Sequence, residues 1–346
     1  MVSPCHAGFI RKFLILTFVL VGMLTACQVE DDGIAINQTP VASTPIEDKA
    51  ETHFLENIES VSLNRAGLVD GAAQEYQFLV VGHIYGSFED GAPHPAETLM
   101  QSLSMLKTKQ LSLMVSLGDT VRNATESDFE DLETDLFRQV DFPVINAVGN
   151  HDMRDRELYQ SRYGMTYYTF RYGPSQIIVL DTELDTCMIT KPQREMLKEA
   201  VEQALNDPEI WQVFIFLHKA LFANDQTLYD SQSIRAMPNE WICYDSTNYL
   251  NVVDNILLPA AATKPVYVIA GDVGATGGNL SPFYHQYEDA SLTEVAVGIG
   301  DKTEDVVLVV SVKGGQVNFE VISLTGQTTR DLAAYDLEYW RGIAQE

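Results

Sequence analysis

From Tyr76 onward, short apolar runs alternate with segments of helical spacing. Six runs have strand length, are rich in Val, Ile and Phe, and end at a glycine or a polar residue: YQFLVVG, LSLMVSLG, FPVINAVG, SQIIVLD, WQVFIFLH and PVYVIAG. Between these runs, residues 96–109 and 192–206 carry apolar side chains at helical spacing. Because nearly continuous apolar runs are typical of strands covered on both faces, the pattern predicts an α/β core with largely buried strands.

The pattern changes towards the end of the chain. DVVLVVSV and QVNFEVISL flank KGGQ, which predicts an antiparallel hairpin. The last residues, DLAAYDLEYWRGIAQE, are typical of a peripheral helix. Residues 75–346 are therefore interpreted as one domain.

Residues 1–26 resemble a bacterial lipoprotein signal peptide. Arg11 and Lys12 precede the apolar run at 13–24, which is too short to span a bilayer but suits the hydrophobic region of a signal peptide. LTAC at 24–27 resembles a lipobox, in which cleavage precedes the cysteine and its thiol carries diacylglycerol. An ordinary signal peptide with an incidental cysteine is the alternative. The resemblance implies a lipid anchor on Cys27 and a cell-envelope location, on the outer membrane or the periplasmic face.

Residues 27–74 are acidic and polar, with two prolines in TPVASTPIEDKAET, and predict a tether. The chain has a net charge of −27, and loss of Arg11 and Lys12 with the signal peptide lowers it by two, to −29. Such a surface repels nucleic acid and anionic lipid, so no nucleic-acid partner is expected and membrane contact is expected through the lipid anchor alone.

Four cysteines are present, of which Cys5 would be removed with the signal peptide and Cys27 would be acylated. Cys187 and Cys243 remain, and an oxidising compartment favours a disulfide between them. Two separate buried thiols are the alternative.

Five of the apolar runs are followed by polar residues suited to metal or phosphate chemistry. These residues are His83, Asp119, Asn150 with His151, His218 and Asp272. In α/β sheets, ligand sites gather just past the carboxyl ends of the strands, because the loops converge there. The spacing therefore predicts one shared site.

The order of these residues resembles the calcineurin-like metallophosphoesterases, which hydrolyse phosphoesters with two metal ions. GDTV supplies Gly118 and Asp119, GNHD supplies residues 149–152, and FLHKALF supplies His218. The resemblance covers residues 76–323. It implies a four-layer α/β sandwich of two mixed β-sheets flanked by helices.

Two motifs depart from the family. Where the family has Asp-x-His this chain has HIY at 83–85, and where it has Gly-His-x-His this chain has GDVG at 271–274. The resemblance then implies that the second metal site keeps Asp119, Asn150 and His218, with Asp272 replacing a histidine, while the first has lost most of its ligands. Such an oxygen-rich set favours Mn²⁺, Mg²⁺, Fe²⁺ or Ca²⁺ over Zn²⁺, with one ion per chain.

The remaining residues of these motifs are given roles by the same resemblance. His83 completes the metal shell or hydrogen-bonds the Asp119 carboxylate. Tyr85 is interpreted as a filler of the vacated first site, since tyrosine binds metals well only as phenolate. His151 faces the phosphoryl group or the leaving oxygen, and Asp152 orients it.

Several further residues carry two interpretations each. Arg122 either holds a phosphate oxygen or pairs with an acid of ESDFEDLETD. His94 and His285 are surface histidines or join the site. The loop from Phe222 to Tyr249 contains Trp241 and is expected to cover the site.

These observations predict a metal-dependent phosphoester hydrolase acting on a small phosphoester or a phosphorylated envelope component, with one metal ion. The first alternative is a binding or scaffold protein on the same fold that has lost catalysis. The second retains two metals through His83 and Tyr85.

Overall fold

The computed structural model describes residues 53–68, 73–87, 89, 91, 94–222, 243, 247–275 and 280–344. The signal peptide, Cys27, most of the tether and most of the loop around Trp241 lie outside these residues. Within the described ranges, no helix combines the length and the apolar character needed to cross a membrane.

The predicted alternation of strands and helices is confirmed. The strands are β1 Phe54–Leu55, β2 Tyr76–Val81, β3 Leu113–Ser116, β4 Val144–Asn146, β5 Tyr168–Tyr172, β6 Ser175–Val179, β7 Gln212–Leu217, β8 Val266–Ala270, β9 Phe283–Gln286, β10 Leu292–Ala296, β11 Val306–Lys313 and β12 Gln316–Ser323. The helices are α1 Glu97–Leu106, α2 Glu126–Asp135, α3 Arg156–Tyr163, α4 Lys191–Asn206, α5 Thr247–Val252, α6 Leu258–Ala261 and α7 Leu337–Ala344.

The strands form two mixed sheets. One has seven strands in the order β1-β5-β6-β7-β8-β10-β9, and the other has five in the order β12-β11-β2-β3-β4. Strands β2, β3 and β4 are parallel in the smaller sheet, and β7 and β8 are parallel in the larger. The predicted hairpin is β11 and β12, turned by Gly314 and Gly315, whose φ values of 57° and 77° suit a two-residue turn of this type.

The inner strands of the sheets are buried on both faces, which explains the continuous apolar runs. In β2, Phe78 and Val80 pack between the sheets, whereas Leu79 and Val81 pack against α1 and α2 on the outer face. In β7, Phe214 and Phe216 face the inter-sheet core, and the alternate residues face α4. The layers are therefore helices, seven-stranded sheet, five-stranded sheet and helices, which confirms the four-layer sandwich that the resemblance implied.

The boundary between tether and domain differs from the prediction. Phe54 and Leu55 form β1, which pairs with β5, and Ile58, Val61 and Leu63 are buried. Residues 53–63 thus belong to the folded domain. Their apolar residues are spaced too irregularly for the strand or helix periods to show, so they resembled the polar segment before them.

Cys187 and Cys243 are joined by a disulfide, with their Cα atoms 5.4 Å apart. That separation lies within the usual range for bridged cysteines. The bond ties the loop after β6 to the chain just before α5, across 56 residues of sequence.

Candidate metal centre

The candidate site lies where strands of both sheets end. His83 follows β2, Asp119 follows β3 and Asn150 follows β4, all in the five-stranded sheet. His218 and Asp272 follow β7 and β8 of the seven-stranded sheet. The predicted strand-end residues are thus brought together from both halves of the sandwich.

Three of these residues adopt a left-handed backbone conformation. The φ angles are 61° at His83, 54° at Asp119 and 57° at Asp272. Side chains other than glycine adopt this region at an energetic cost, and such strain concentrates at functional sites. The conformation turns each chain sharply at the end of its strand.

Asp119 is the centre of the arrangement and is almost completely buried. Its Oδ1 accepts a hydrogen bond from the backbone N–H of His151 at 2.9 Å, and its Oδ2 lies 3.1 Å from Nε2 of His83. Burial alone would raise the pKa of the Asp119 carboxyl, but His218 and His83 hold it well below the usual range. Asp119 therefore carries its negative charge.

The ring of His218 is fixed by the main chain. Its Nδ1 donates to the carbonyl oxygen of Leu117 at 2.6 Å, so Nε2 faces the site. Nε2 lies 3.3 Å from Oδ1 of Asn150, 3.4 Å from Oδ1 of Asp272 and 3.6 Å from Oδ1 of Asp119. Burial would lower the pKa of His218, but Asp119 and Asp272 raise it to about 9.

Lys219 is a residue of the site that the sequence analysis missed. Its Nζ donates to Oδ1 of Asn150 at 2.6 Å and to Oδ2 of Asp272 at 2.9 Å, and it lies 3.9 Å from Oε1 of Glu183. The residue is only 4% exposed. Burial opposes its charge, yet Asp272 and Glu183 raise its pKa, so the ammonium stays charged.

One sequence signal for Lys219 was available. Asp272 stands where the calcineurin-like metallophosphoesterases, which the motifs resemble, have a neutral histidine, and an added buried carboxylate needs a cation beside it. Lys219 directly follows His218 in FLHKALF, so it was within reach of that reasoning. Glu183, which follows β6, is another acid near the ammonium, and burial raises its pKa.

His83, Asp119 and Asp272, called the ion triad below, have the donors and spacing for one metal ion. Each offers one ligand atom, and these atoms lie within 4.8 Å of one another. Ligands bound to one ion at about 2.0–2.4 Å cannot be farther apart than about 4.8 Å. Two carboxylates and an imidazole therefore fit a divalent cation of the harder kind.

Tyr85 and His151 lie beside the ion triad. The Tyr85 ring is 4.6 Å from the His83 ring and 4.7 Å from the His151 ring, and its hydroxyl is 3.4 Å from Nε2 of His151. Burial, with the charges of Asp119 and Asp272, raises the pKa of Tyr85 above its ordinary value. This shift opposes the phenolate form that a metal ligand requires.

Asp152 does not orient His151, contrary to the sequence interpretation. Its Oδ1 accepts from the N–H and hydroxyl of Thr120 and from the N–H of Val121, and its Oδ2 accepts from Asn146 Nδ2 and the N–H of Gly149. The carboxylate thus joins the loops after β3 and β4. His151 is oriented instead by the carbonyl oxygen of Arg122, 2.6 Å from its Nδ1.

Among the described residues, Arg122 contacts main-chain oxygens and does not pair with an acid of α2. Its guanidinium donates to the carbonyl oxygens of Ser87 and Glu89 and lies 5.9 Å from the centre of the Tyr85 ring. Arg162 instead forms ion pairs with Glu126 and Glu133 of α2. Arg122 is therefore a support for the loop after β2.

The two remaining histidines have different surroundings. His285 lies on β9, and its Nδ1 is 2.9 Å from Oε2 of the buried Glu294 on the neighbouring strand β10. This contact links the side chains of two neighbouring strands of the seven-stranded sheet. His94 lies in the segment between β2 and α1 and is partly exposed.

Glycines permit the close approach of the loops. A Cβ on Gly118, whose φ is +87°, would lie 2.5 Å from Nδ1 of His218. A Cβ on Gly149 would overlap the Asp119 carboxylate and lie 2.8 Å from Cε1 of His218. Both positions therefore require glycine if the ring and the carboxylate are to keep their places.

Comparison with known proteins identifies the fold. No protein-family model matches the sequence, and no curated protein matches it. A purple acid phosphatase from yellow lupin (Lupinus luteus) seeds has a similar structure, with a TM-score of 0.50 and 11% sequence identity over 76% of this chain and 54% of that chain. This chain thus spans about half the length of that phosphatase.

The phosphopantetheinyl hydrolase of Mycobacterium tuberculosis is also similar, with 14% identity over 66% of this chain and 91% of that chain and a TM-score of 0.38. At such identities the lupin enzyme shows the fold alone. The chain has the metallophosphoesterase fold.

Proposed function

We propose that the protein is a metal-dependent phosphoester hydrolase with an altered, mononuclear centre. The observation that carries the proposal is the ion triad, whose three ligand atoms lie within 4.8 Å at the strand ends of a metallophosphoesterase fold. A phosphoester hydrolase of this fold needs a cation at that place. Here His83, Asp119 and Asp272 would hold it.

The surrounding residues have separate roles in this proposal. A divalent cation, when bound, supplies charge that polarises a phosphoryl oxygen and activates water. His151, held by the Arg122 carbonyl, presents Nε2 towards the Tyr85 side of the site and exchanges a proton with the attacking or leaving oxygen. Asp119 fixes the backbone of His151 through its N–H.

The cellular setting is part of the proposal. The lipobox-like LTAC at 24–27 supports a lipid anchor at Cys27, and the net charge of −27 supports a membrane contact made by acyl chains alone. The substrate is then a small phosphoester or a phosphorylated component of the cell envelope. The strand-end oxygens support Mn²⁺, Mg²⁺, Fe²⁺ or Ca²⁺ over Zn²⁺.

A second candidate function is a binding or scaffold protein on the same fold. One observation favours it: the Lys219 ammonium binds Asn150 and Asp272, two of the groups that the sequence assigned to the metal. If the ammonium satisfies these oxygens and no ion binds, catalysis is lost.

Hydrolysis assays separate the two functions. Purified protein should cleave p-nitrophenyl phosphate or bis(p-nitrophenyl) phosphate slowly, with Mn²⁺ more effective than Zn²⁺. Asp119→Asn should abolish turnover, whereas Asp131→Asn, an exposed acid on α2, should leave it unchanged. Absence of turnover with either ester and every divalent ion, together with no bound metal, would support the scaffold.

A further inference from the structure

We infer that the ammonium of Lys219 takes the place of a second cation in this centre. The inference deepens the proposed function and rests on it, because it concerns how the remaining ion is held. It starts from two contacts of Nζ, 2.6 Å to Oδ1 of Asn150 and 2.9 Å to Oδ2 of Asp272.

The oxygens that bind Lys219 belong to the group predicted to hold an ion. Asp119, Asn150, His218 and Asp272 converge as the sequence analysis expected, with Nε2 of His218 3.3–3.6 Å from an oxygen of each of the other three. Two of these side chains, Asn150 and Asp272, accept a hydrogen bond from the ammonium. A divalent ion on those oxygens would lie within bonding distance of both and would displace Nζ.

The position of the ammonium is fixed by the fold. Lys219 directly follows His218 at the end of β7, and its backbone N–H lies 3.3 Å from the hydroxyl of Thr182. The residue is 4% exposed, so protein encloses its side chain. A buried ammonium is stable only with close acceptors of opposite charge, and Asp272 provides one.

The presence of the Lys219 ammonium also explains why position 272 carries a carboxylate. A lysine beside a neutral imidazole would place two weakly compensated groups in a buried space, whereas a carboxylate pairs with the ammonium through Oδ2. Oδ1 of the same carboxylate lies 3.4 Å from Nε2 of His218, and Asp272 also offers an oxygen to the ion triad. One residue therefore serves both the built-in cation and the bound one.

The charge of the centre follows from this arrangement. An ammonium contributes one positive charge where a divalent ion would contribute two, and a second metal ion would need the oxygens of Asn150 and Asp272 that Nζ already contacts. A second metal ion is therefore excluded while Lys219 is present. Removal of its charge should open the position.

Lys219→Met tests the inference, because methionine is unbranched like lysine and has no charge. Wild type and variant are loaded with Mn²⁺, dialysed and assayed for bound metal per chain by elemental analysis. Lys313→Met, at a surface lysine whose side chain is 77% exposed, is the matched control. The variant should bind about one more Mn²⁺ per chain than wild type, and the control should match wild type.

The difference between the variant and wild type tests the role of Lys219, and the wild-type value alone tests the proposed function. An equal metal content in wild type and Lys219→Met overturns the inference. A wild type without metal refutes the proposed function, whatever the difference. A gain of one ion over a wild-type value of one supports both.

If Lys219→Met does not fold, the number of Mn²⁺ ions bound by wild type still tests the inference. Electron paramagnetic resonance during titration with Mn²⁺ distinguishes an isolated ion from a spin-coupled pair. Saturation at one uncoupled ion per chain supports the inference. A coupled pair at two ions per chain overturns it.

Discussion

Nδ1 of His151 lies 2.6 Å from the main-chain oxygen of Arg122, and this contact sets the tautomer of the ring. A carbonyl oxygen only accepts, so Nδ1 carries a proton and Nε2 of the neutral ring is an acceptor. Burial lowers the pKa of His151, which favours that neutral form. The hydroxyl of Tyr85, 3.4 Å from Nε2, is a weak donor to it.

This geometry predicts unequal effects for the two residues. His151→Ala should lower kcat by about 100-fold or more, because it removes the group that exchanges a proton with substrate. Tyr85→Phe should lower kcat less than about threefold, because the lost contact is long. Steady-state kinetics on an aryl phosphate measure kcat for both variants. A large loss of kcat in Tyr85→Phe would instead favour the alternative in which Tyr85 is a metal ligand.

Asp152→Asn should destabilise the domain by about 2–4 kcal/mol, since it replaces one acceptor oxygen of a buried, fully used carboxylate by a donor that faces other donors. The free energy of unfolding from urea titration measures the loss. Asp131→Asn, on the exposed face of α2, should change it by less than about 0.5 kcal/mol. Equal stability of the two variants would contradict the role of Asp152 as a clip between loops.

Gly149→Ala should cost about 2–3 kcal/mol of stability and weaken Mn²⁺ binding, because its methyl group would displace the Asp119 carboxylate. Gly342→Ala is the matched control. It lies within α7 with open space around its Cα, so the change should stabilise the protein by about 0.5–1 kcal/mol. Thermal melts with and without Mn²⁺ report both effects, and unchanged metal binding in Gly149→Ala would show that the carboxylate had room to move.

The disulfide closes a loop of 56 residues, for which the chain-entropy model gives about 4 kcal/mol of stabilisation. The double variant Cys187→Ser and Cys243→Ser should lose most of this free energy of unfolding. Treatment of wild type with a reductant should produce a loss of similar size. A wild type insensitive to reductant, in which the thiols of Cys187 and Cys243 both titrate, would mean that the bond does not form in the isolated protein.

The apolar pattern predicted an α/β core because most strands are apolar on both faces, and the resemblance to metallophosphoesterases implied the four layers. Phe78 and Leu79 are consecutive, point to opposite sides of β2 and are both buried, so the run has no polar gap. The strand-end residues were predictable for a related reason. A parallel sheet aligns its carboxyl ends, so position along the chain is enough to place Asp119 beside His83 and Asn150, which follow the other parallel strands of the same sheet.

The partners of individual side chains were not predictable in the same way. Lys219 owes its burial to Asp272 and Glu183, which lie 53 and 36 positions away along the sequence and meet it only through the packing of β6, β7 and β8. Asp152 and Arg122 likewise bind loop backbone, whose course no residue pattern describes. Backbone acceptors exist at every position, so the sequence does not mark which one a side chain will use.

The ligands of the proposed ion come from both sheets, so the affinity for the ion would depend on the position of one sheet relative to the other. Phe78 of the smaller sheet packs edge-on against Phe214 of the larger, with ring centres 5.3 Å apart. A substitution that lets this contact slide by a fraction of an ångström would shift Asp119 relative to Asp272 while each sheet keeps its own hydrogen bonds. On heating, the protein should therefore lose its affinity for the ion at a lower temperature than that at which the strands unfold.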